Sequence, residues 1–472
     1  MVSAIVLCFI IGYLAIVFEH PLKLDKTVPS LLMGALCWAL LAIGFNSGAL
    51  EVVDTHDHVY SLMAEHGSED HGGDDHAGDG GDGHAAGADA HDEAEEGFTN
   101  TLLHHLGKTA EILVFLIGAM TIVEIIDLHR GFEVLKGWVN TRSKVRLLWI
   151  IGALSFVLSA IIDNLTATIV LVTLLRKIIP EKGERLWYAS MVVIAANAGG
   201  AWSPIGDVTT TMLWIGKKVS TLGLITKLVI PSVICFIVPF VIASFLKPFR
   251  GEISVIADED KEAEALLSSR RMLFLGLGMI VFVPVFKTYT HLPPYLGMML
   301  SMGVVWLVSE YIHPEEDFDS SRRHMYSAHN ALSRIEMSSI LFFLGILMAV
   351  AALESLVMGG VGTLRFLAEG LESTIPNRDI VVMLLGVGSA IIDNVPLVAA
   401  SMGMYSEPLD SRLWHFIAYA AGTGGSMLII GSAAGVAAMG MERIDFIWYL
   451  RKVSWLAAVG FVAGAAAFVL LA

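Results

Sequence analysis

Charge and cysteine are both scarce in this chain. Of 472 residues only 16% are Asp, Glu, Lys or Arg, against 55% hydrophobic. Apolar runs of about 20 residues, the length that spans a bilayer, recur from end to end, which excludes a soluble multidomain protein. The three cysteines, Cys8, Cys37 and Cys235, fall inside apolar runs at no metal-ligand spacing, which excludes a disulfide framework and thiolate-metal sites. Residues 1 to 18 lack a basic start and a small-residue cleavage signal, so they read as a first spanning helix that stays. Bases are outnumbered 30 to 46, and no nucleic-acid partner is expected. Membrane lipids are the expected surroundings.

The formal net charge of -16 is unevenly placed. Between Glu51 and Gly97 lie 15 of the acids and no Lys or Arg, so the remainder is close to neutral. That stretch is Gly-rich and poor in apolar residues, the composition of a disordered segment. It carries seven histidines, of which His66, His71, His76 and His84 stand among carboxylates. Two readings stay open: a solvated linker, or a loose site for Zn²⁺, Ni²⁺ or Cu²⁺ that also titrates near neutral pH.

What is present in duplicate is more informative. Ser159 to Asn164 and Ser389 to Asn394 both read Ser-Ala-Ile-Ile-Asp-Asn, each in the middle of an apolar run. Asp163 is the one ionisable residue between Arg146 and Arg176, and a charge at bilayer depth costs roughly 2.5 to 3.5 kcal/mol. The run from Leu147 to Leu175 is too long for one straight span and too short for two. A re-entrant helical hairpin with Asp163 and Asn164 at its tip fits, and irregular backbone at that depth must line a site.

Each hairpin is followed by a broken helix. In Ala195-Ala-Asn-Ala-Gly-Gly-Ala-Trp-Ser-Pro-Ile-Gly-Asp-Val-Thr-Thr-Thr211, the glycines and Pro204 interrupt a membrane helix and free its carbonyls and amides. Asn197, Asp207, Thr209 and Thr210 supply oxygens at the break. Gly422 to Gly431 aligns without gaps on Asn197 to Gly206, with Ser432 where the first copy has Asp207. The expected architecture is an all-α polytopic membrane protein of two inverted repeats. Repeat one takes residues 1–50 and 101–250, around the acidic loop 51–100, with a hairpin at 145–179 and a broken helix at 186–216. A cytoplasmic linker at 251–271 leads to repeat two at 272–472, with a hairpin at 380–405 and a broken helix at 412–440. Five crossings per repeat make the second copy inverted. The Lys- and Arg-rich flanks of the first hairpin place those flanks in the cytoplasm and the acidic loop outside.

The centre contains no Lys or Arg, which excludes an anion site. Asp163, Asp393 and Asp207 with Asn164, Asn394, Thr166, Ser159 and Ser389 make a cation site. Burial disfavours a charged carboxylate, so each Asp holds a proton or a cation, and the two loaded forms exclude each other. Competition of that kind yields cation/proton exchange, with transported ions and no cofactor. Glu111 is a candidate for a proton path.

On the two Asp-Asn hairpins and the 195–211 segment, the chain resembles the NhaD-type Na⁺/H⁺ antiporters of the ion transporter superfamily. The resemblance implies export of Na⁺ and Li⁺ in exchange for protons, a bacterial inner membrane, and a homodimer with scaffold and moving transport domains. It places the ion-binding positions on Ser159, Asp163, Asn164, Thr166, Asn197, Asp207, Thr209, Thr210, Ser389, Asp393, Asn394 and Ser432. The alternative on the same architecture is a Na⁺-coupled anion carrier or arsenite permease, in which Ser-Asn-Thr would replace Asp-Asn. An intramembrane aspartyl protease would need Gly-x-Gly-Asp, whereas both aspartates follow Ile-Ile.

Overall fold

A computed structural model describes residues 1–54, 58–62, 83–139, 141–253, 267–312, 328–391 and 393–471. The chain begins with α1 (Val2–Val17), α2 (Glu19–Leu22), α3 (Thr27–Asn46), strands β1 (Val52–Val53) and β2 (Val59–Tyr60), and α4 (Gly83–Leu128). Next come α5 (Lys144–Ile162), α6 (Asn164–Ile178), α7 (Lys182–Gly200), α8 (Val208–Ile215), α9 (Thr221–Ser244), α10 (Leu267–Thr290) and α11 (Pro294–Tyr311). There follow α12 (Ala328–Arg334), α13 (Met337–Ser355), β3 (Val357–Met358), β4 (Val361–Gly362), α14 (Thr363–Thr374), α15 (Arg378–Ile391) and α16 (Asn394–Met404). The last helices are α17 (Arg412–Gly424), α18 (Ala433–Glu442), α19 (Phe446–Lys452) and α20 (Ser454–Leu471). Seven of the described helices are long and apolar enough to cross a membrane. The protein is an all-α polytopic membrane protein, the strands among the described residues confined to two short hairpins.

Two compact units are present. One comprises Met1–Ala110, Leu341–Thr374 and Gly403–Tyr405. In it, α3 and α13 approach closely because a Cβ on Gly34 would strike the Gly345 carbonyl and one on Gly345 the Ser30–Leu31 backbone; small residues are how membrane helices come together. The Trp38 indole donates to Met348 O at 2.8 Å, and Phe98 of α4 stacks on Phe45. Thr27 holds the Asp25 carboxyl, which lies before α3, below the usual carboxylate range through hydrogen bonds. Helix α4 begins at Gly83, inside the stretch that composition reads as a loop. Ala and Glu favour helix there, and burial of Ala94 with the Phe98–Phe45 contact anchors it.

The other unit comprises Glu111–Ile340, Ile375–Met402 and Ser406–Ala472. Its innermost helices are α7 and α17, buried on every side from Tyr188 to Gly200 and from Trp414 to Gly424. A helix that is apolar or small all round belongs in an interior. Helices α5 and α6 pack on α7, α15 packs on α17, and α9 packs along α20.

Candidate ion-binding site

What interrupts the apolar run of α5 and α6 is a single residue. Asp163 ends α5 and caps α6 at φ 82° and ψ 159°, a region rarely populated except by glycine, at a cost of about 1–3 kcal/mol. Its carboxylate accepts from the Thr166 N–H and from the Thr166 hydroxyl, both at 2.8 Å. Two donors at the start of α6 are thereby satisfied. Asn164 follows, buried.

Helix α7 stops at Gly200 and α8 starts at Val208. A Cβ on Gly199 would strike the Phe156 carbonyl, and one on Gly200 the Gly206 carbonyl, so the glycines let the break seat against α5. Asp207 caps α8, its Oδ1 accepting from Thr209 N and Thr209 Oγ1 at 2.8 Å each. Thr210 Oγ1 donates to Asp207 O at 2.9 Å. A carboxylate at a helix N-terminus sits where the macrodipole favours it.

The second copy repeats the local plan. Gly424 backs onto the Gly386 carbonyl, Gly425 onto that of Gly431, and Gly431 onto that of Ala390. Ser159 donates to Ala196 O at 2.6 Å and Ser389 to Ala421 O at 2.9 Å, so each serine staples the helix before an Asp-Asn pair to the interrupted helix that follows. Asp393 accepts from Val395 N at 3.4 Å, and Ser432 caps α18 by accepting from Gly435 N at 3.1 Å.

The two copies meet at Asp207, which is 2% exposed. Asn164 Nδ2 donates to its Oδ2 at 2.7 Å and to Asn197 Oδ1 at 3.0 Å. Asn394 Nδ2, from the second Asp-Asn pair, lies 3.4 and 3.5 Å from the two carboxylate oxygens. Asn197, fully buried, donates from Nδ2 to Ser426 Oγ and Ser432 Oγ, each at 2.9 Å. Asp163 and Asp393 both lie within Coulombic range of Asp207. The hydrogen-bond partners of the Asp207 carboxylate are neutral amides and hydroxyls, without a base among them. A buried carboxylate so placed calls for a mobile cation or a proton to neutralise it.

Of the residues expected from sequence, Asn164, Asn197, Asp207, Thr209, Asn394 and Ser432 are drawn into one cluster. Asp163 and Thr166 stand beside it at the first tip and Asp393 at the second. Glu111 lies on α4 one turn before Phe115, which meets Trp214 of α8 edge-on, outside the hydrogen-bonded cluster. His66, His71 and His76 lie outside the described residues, as does the His84 side chain. Among the described residues no three His, Cys, Asp or Glu side chains are grouped to hold a metal ion. Sequence reading missed Ser426, although a serine where the first copy has Ala201 was the available signal. It also missed Glu442 at the far end of α18, whose oxygens accept from Arg176 Nε and Arg185 Nε at 2.7 Å each.

Residues 13–415 match the family model CitMHS, described as citrate transporter. Sodium/proton antiporter 1 of Arabidopsis thaliana is 43% identical over 98% of this chain and 72% of its own length. Sodium/proton antiporter 2 of the same plant is 40% identical over 97% of each chain. The Na(+)/H(+) antiporter NhaD of Alkalimonas amylolytica is 33% identical over 75% of each.

Proposed function

The chain belongs to the NhaD-type Na⁺/H⁺ antiporter family, and we propose that it exchanges Na⁺ or Li⁺ for protons by competition at Asp207 and the two hairpin aspartates. The observation that carries this is the Asp207 carboxylate, sealed from solvent and shared by both copies of the motif, with only neutral partners. Citrate, a trivalent anion, would require Arg or Lys there, and repulsion from three nearby carboxylates would oppose it. Na⁺ is a hard cation that oxygen ligands suit, and Asp207, Asn164, Asn394 and Thr209 supply oxygens. Loading with cation or with proton neutralises the site, whereas the bare charge is costly to move through a low-dielectric barrier. Exchange follows from that exclusion.

The reading extends to the topology. The two copies are inverted about the site, which permits alternating access, and the basic flanks Arg142, Lys144, Arg146, Lys177 and Lys182 face the cytoplasm. In a bacterial host that membrane is the inner one, with residues 51–82 on the periplasmic side, and the working form is a homodimer. The test is proton flux in everted vesicles on addition of Na⁺, Li⁺ or K⁺ across pH, with Asp207→Asn alongside. Cation-driven proton release is expected, and in the variant it should need tenfold or more Na⁺ to reach half its maximum, roughly the worth of one unit of proton competition. Citrate-driven uptake without cation-driven proton flux overturns the reading.

A further inference from the structure

The Asn164–Asn197–Ser432 hydrogen-bond chain has a direction, and the direction matters for a cation. Asn164 turns its N–H₂ toward Asp207 and toward Asn197 Oδ1. Asn197 turns its own N–H₂ toward Ser426 and Ser432. Donors aimed at Asp207 suit an ionised, cation-free carboxylate. They are wrong for a loaded one, because Na⁺ needs oxygens around it and a protonated Asp207 needs an acceptor.

We propose that Asn197 is the pivot of an amide relay: when Asp207 takes a proton or a cation, Asn164 turns its carbonyl to it, Asn197 turns in response, and Ser426 and Ser432 rotate from acceptors to donors. The proposal rests on the reading of Asp207 as the exchanging carboxylate. Each step forces the next. A turned Asn164 presents Oδ1 to Asn197 Oδ1, two acceptors 3.0 Å apart with no proton between them. Asn197 has no exposed surface at which water could relieve the clash, and a buried unmet amide is expensive. Turned in its turn, Asn197 donates to Asn164 and offers Oδ1 to the serines. Their hydroxyls can donate to it while Ser432 still accepts from Gly435 N. The Asn394 contacts at 3.4 and 3.5 Å are long and give way readily.

The consequence is one-sided. Gly422 occupies the place of Asn197 in the second copy, so that copy has no pivot of its own. Asn197 carries the charge state of Asp207 at the start of α8 to the cap of α18. Asn197 is thus a positioning residue, and the titratable groups that bear on the relay are Asp207, with Asp163 and Asp393 in Coulombic range of it, and Tyr449, whose hydroxyl donates to Ser426 O.

The test is a mutant cycle on the full-length protein in proteoliposomes, reading apparent Na⁺ affinity and the pH profile of proton flux. Ser426→Ala with Ser432→Ala should weaken apparent Na⁺ affinity by about tenfold and shift the profile, and should do neither in the Asn197→Ala background, since neighbours in one network are not additive. Should Asn197→Ala fail to insert, Asn197→Leu, of similar size but with neither donor nor acceptor, takes its place with the same expected outcome. A serine effect that persists undiminished without the Asn197 amide overturns the relay, as does its absence in the wild-type background. Absence of Na⁺-driven proton flux in the wild type overturns the exchange reading, and the relay with it.

Discussion

Thr166 closes both of its donors on the carboxylate of Asp163, at 2.8 Å each, and the matching place in the second hairpin is held by Pro396, which has neither donor. The two copies of the Asp-Asn motif therefore differ at the residue that caps the first carboxylate. Donors favour the ionised form. Thr166→Val removes the hydroxyl, so the proton stays on Asp163 to higher pH and Na⁺ competes only there. A hydrogen bond to a charged group is worth roughly 1.5–3 kcal/mol and one pH unit about 1.4 kcal/mol. The active range should move toward alkaline pH by about one unit, and vesicle pH profiles showing an acid shift would refute the assignment.

Asp163→Asn and Asp393→Asn should each abolish Na⁺-dependent proton exchange while the protein remains folded and inserted. Asn keeps the shape of Asp but neither titrates nor carries full charge. Flux measured beside size-exclusion profiles separates transport from folding. Near wild-type exchange in either variant would remove that carboxylate from the mechanism.

Asp207 and Ser432 occupy matching caps, one charged and one neutral. Asp207→Asn should raise the Na⁺ concentration for half-maximal exchange by tenfold or more, roughly the worth of one unit of proton competition. Ser432→Ala alone should cost much less, because Ser426 remains as a partner for Asn197. Equal small effects in the same vesicles would make Asp207 structural.

Deleting residues 63–82 should leave exchange intact and alter at most its response to divalent metals or pH. Extending the deletion to Glu96 should lower the yield of inserted protein, because it removes the start of α4, including buried Ala94, and brings the cut against Gly97, on which the Tyr60 ring rests. Loss of flux in a correctly inserted 63–82 deletion would bring that stretch into the transport cycle.

Glu442 is a buried carboxylate gripped by two arginines, one on α6 and one on α7. Removing one partner of a buried pair costs about 3–5 kcal/mol. Glu442→Gln should lower the unfolding temperature in detergent by several degrees. Arg185→Gln should cost more than Arg176→Gln, since the Arg185 side chain is 15% exposed and that of Arg176 45%. Thermal unfolding of the three variants checks the order.

The repeat was legible because its chemistry is local. Ser159, Gly199, Gly206 and their counterparts act on backbone a few residues to a few tens of residues away, so composition and spacing announce them. The break at 201–207 and the helix ends beside Asp163 and Asp393 follow from glycine, proline and a lone carboxylate in apolar runs. Partnerships across the copies were hidden, because Asn197 meets Ser426 and Ser432 at separations of 229 and 235 residues, and Arg176 meets Glu442 at 266. No local pattern records which serine or glutamate a distant amide or guanidinium will reach. The reach of α4 back to Gly83 was obscured for another reason: Gly and charge suggest a loop, whereas the Ala and Glu between them favour helix, and the anchoring contact of Phe98 on Phe45 lies about four turns further on.

The backbone at Asp163 sets stability and activity against each other at one codon. Glycine relaxes a positive φ at no steric cost, and at a helix cap it gives up only a few tenths of a kcal/mol relative to Asp. Asp163→Gly should therefore gain about 1 kcal/mol of stability. A laboratory selection for heat-resistant protein in detergent would enrich glycine at this position, and a selection for growth in high salt would reject it. Consensus or thermostabilising designs that score folding alone would erase the carboxylate at 163 in exchange for the relaxed backbone.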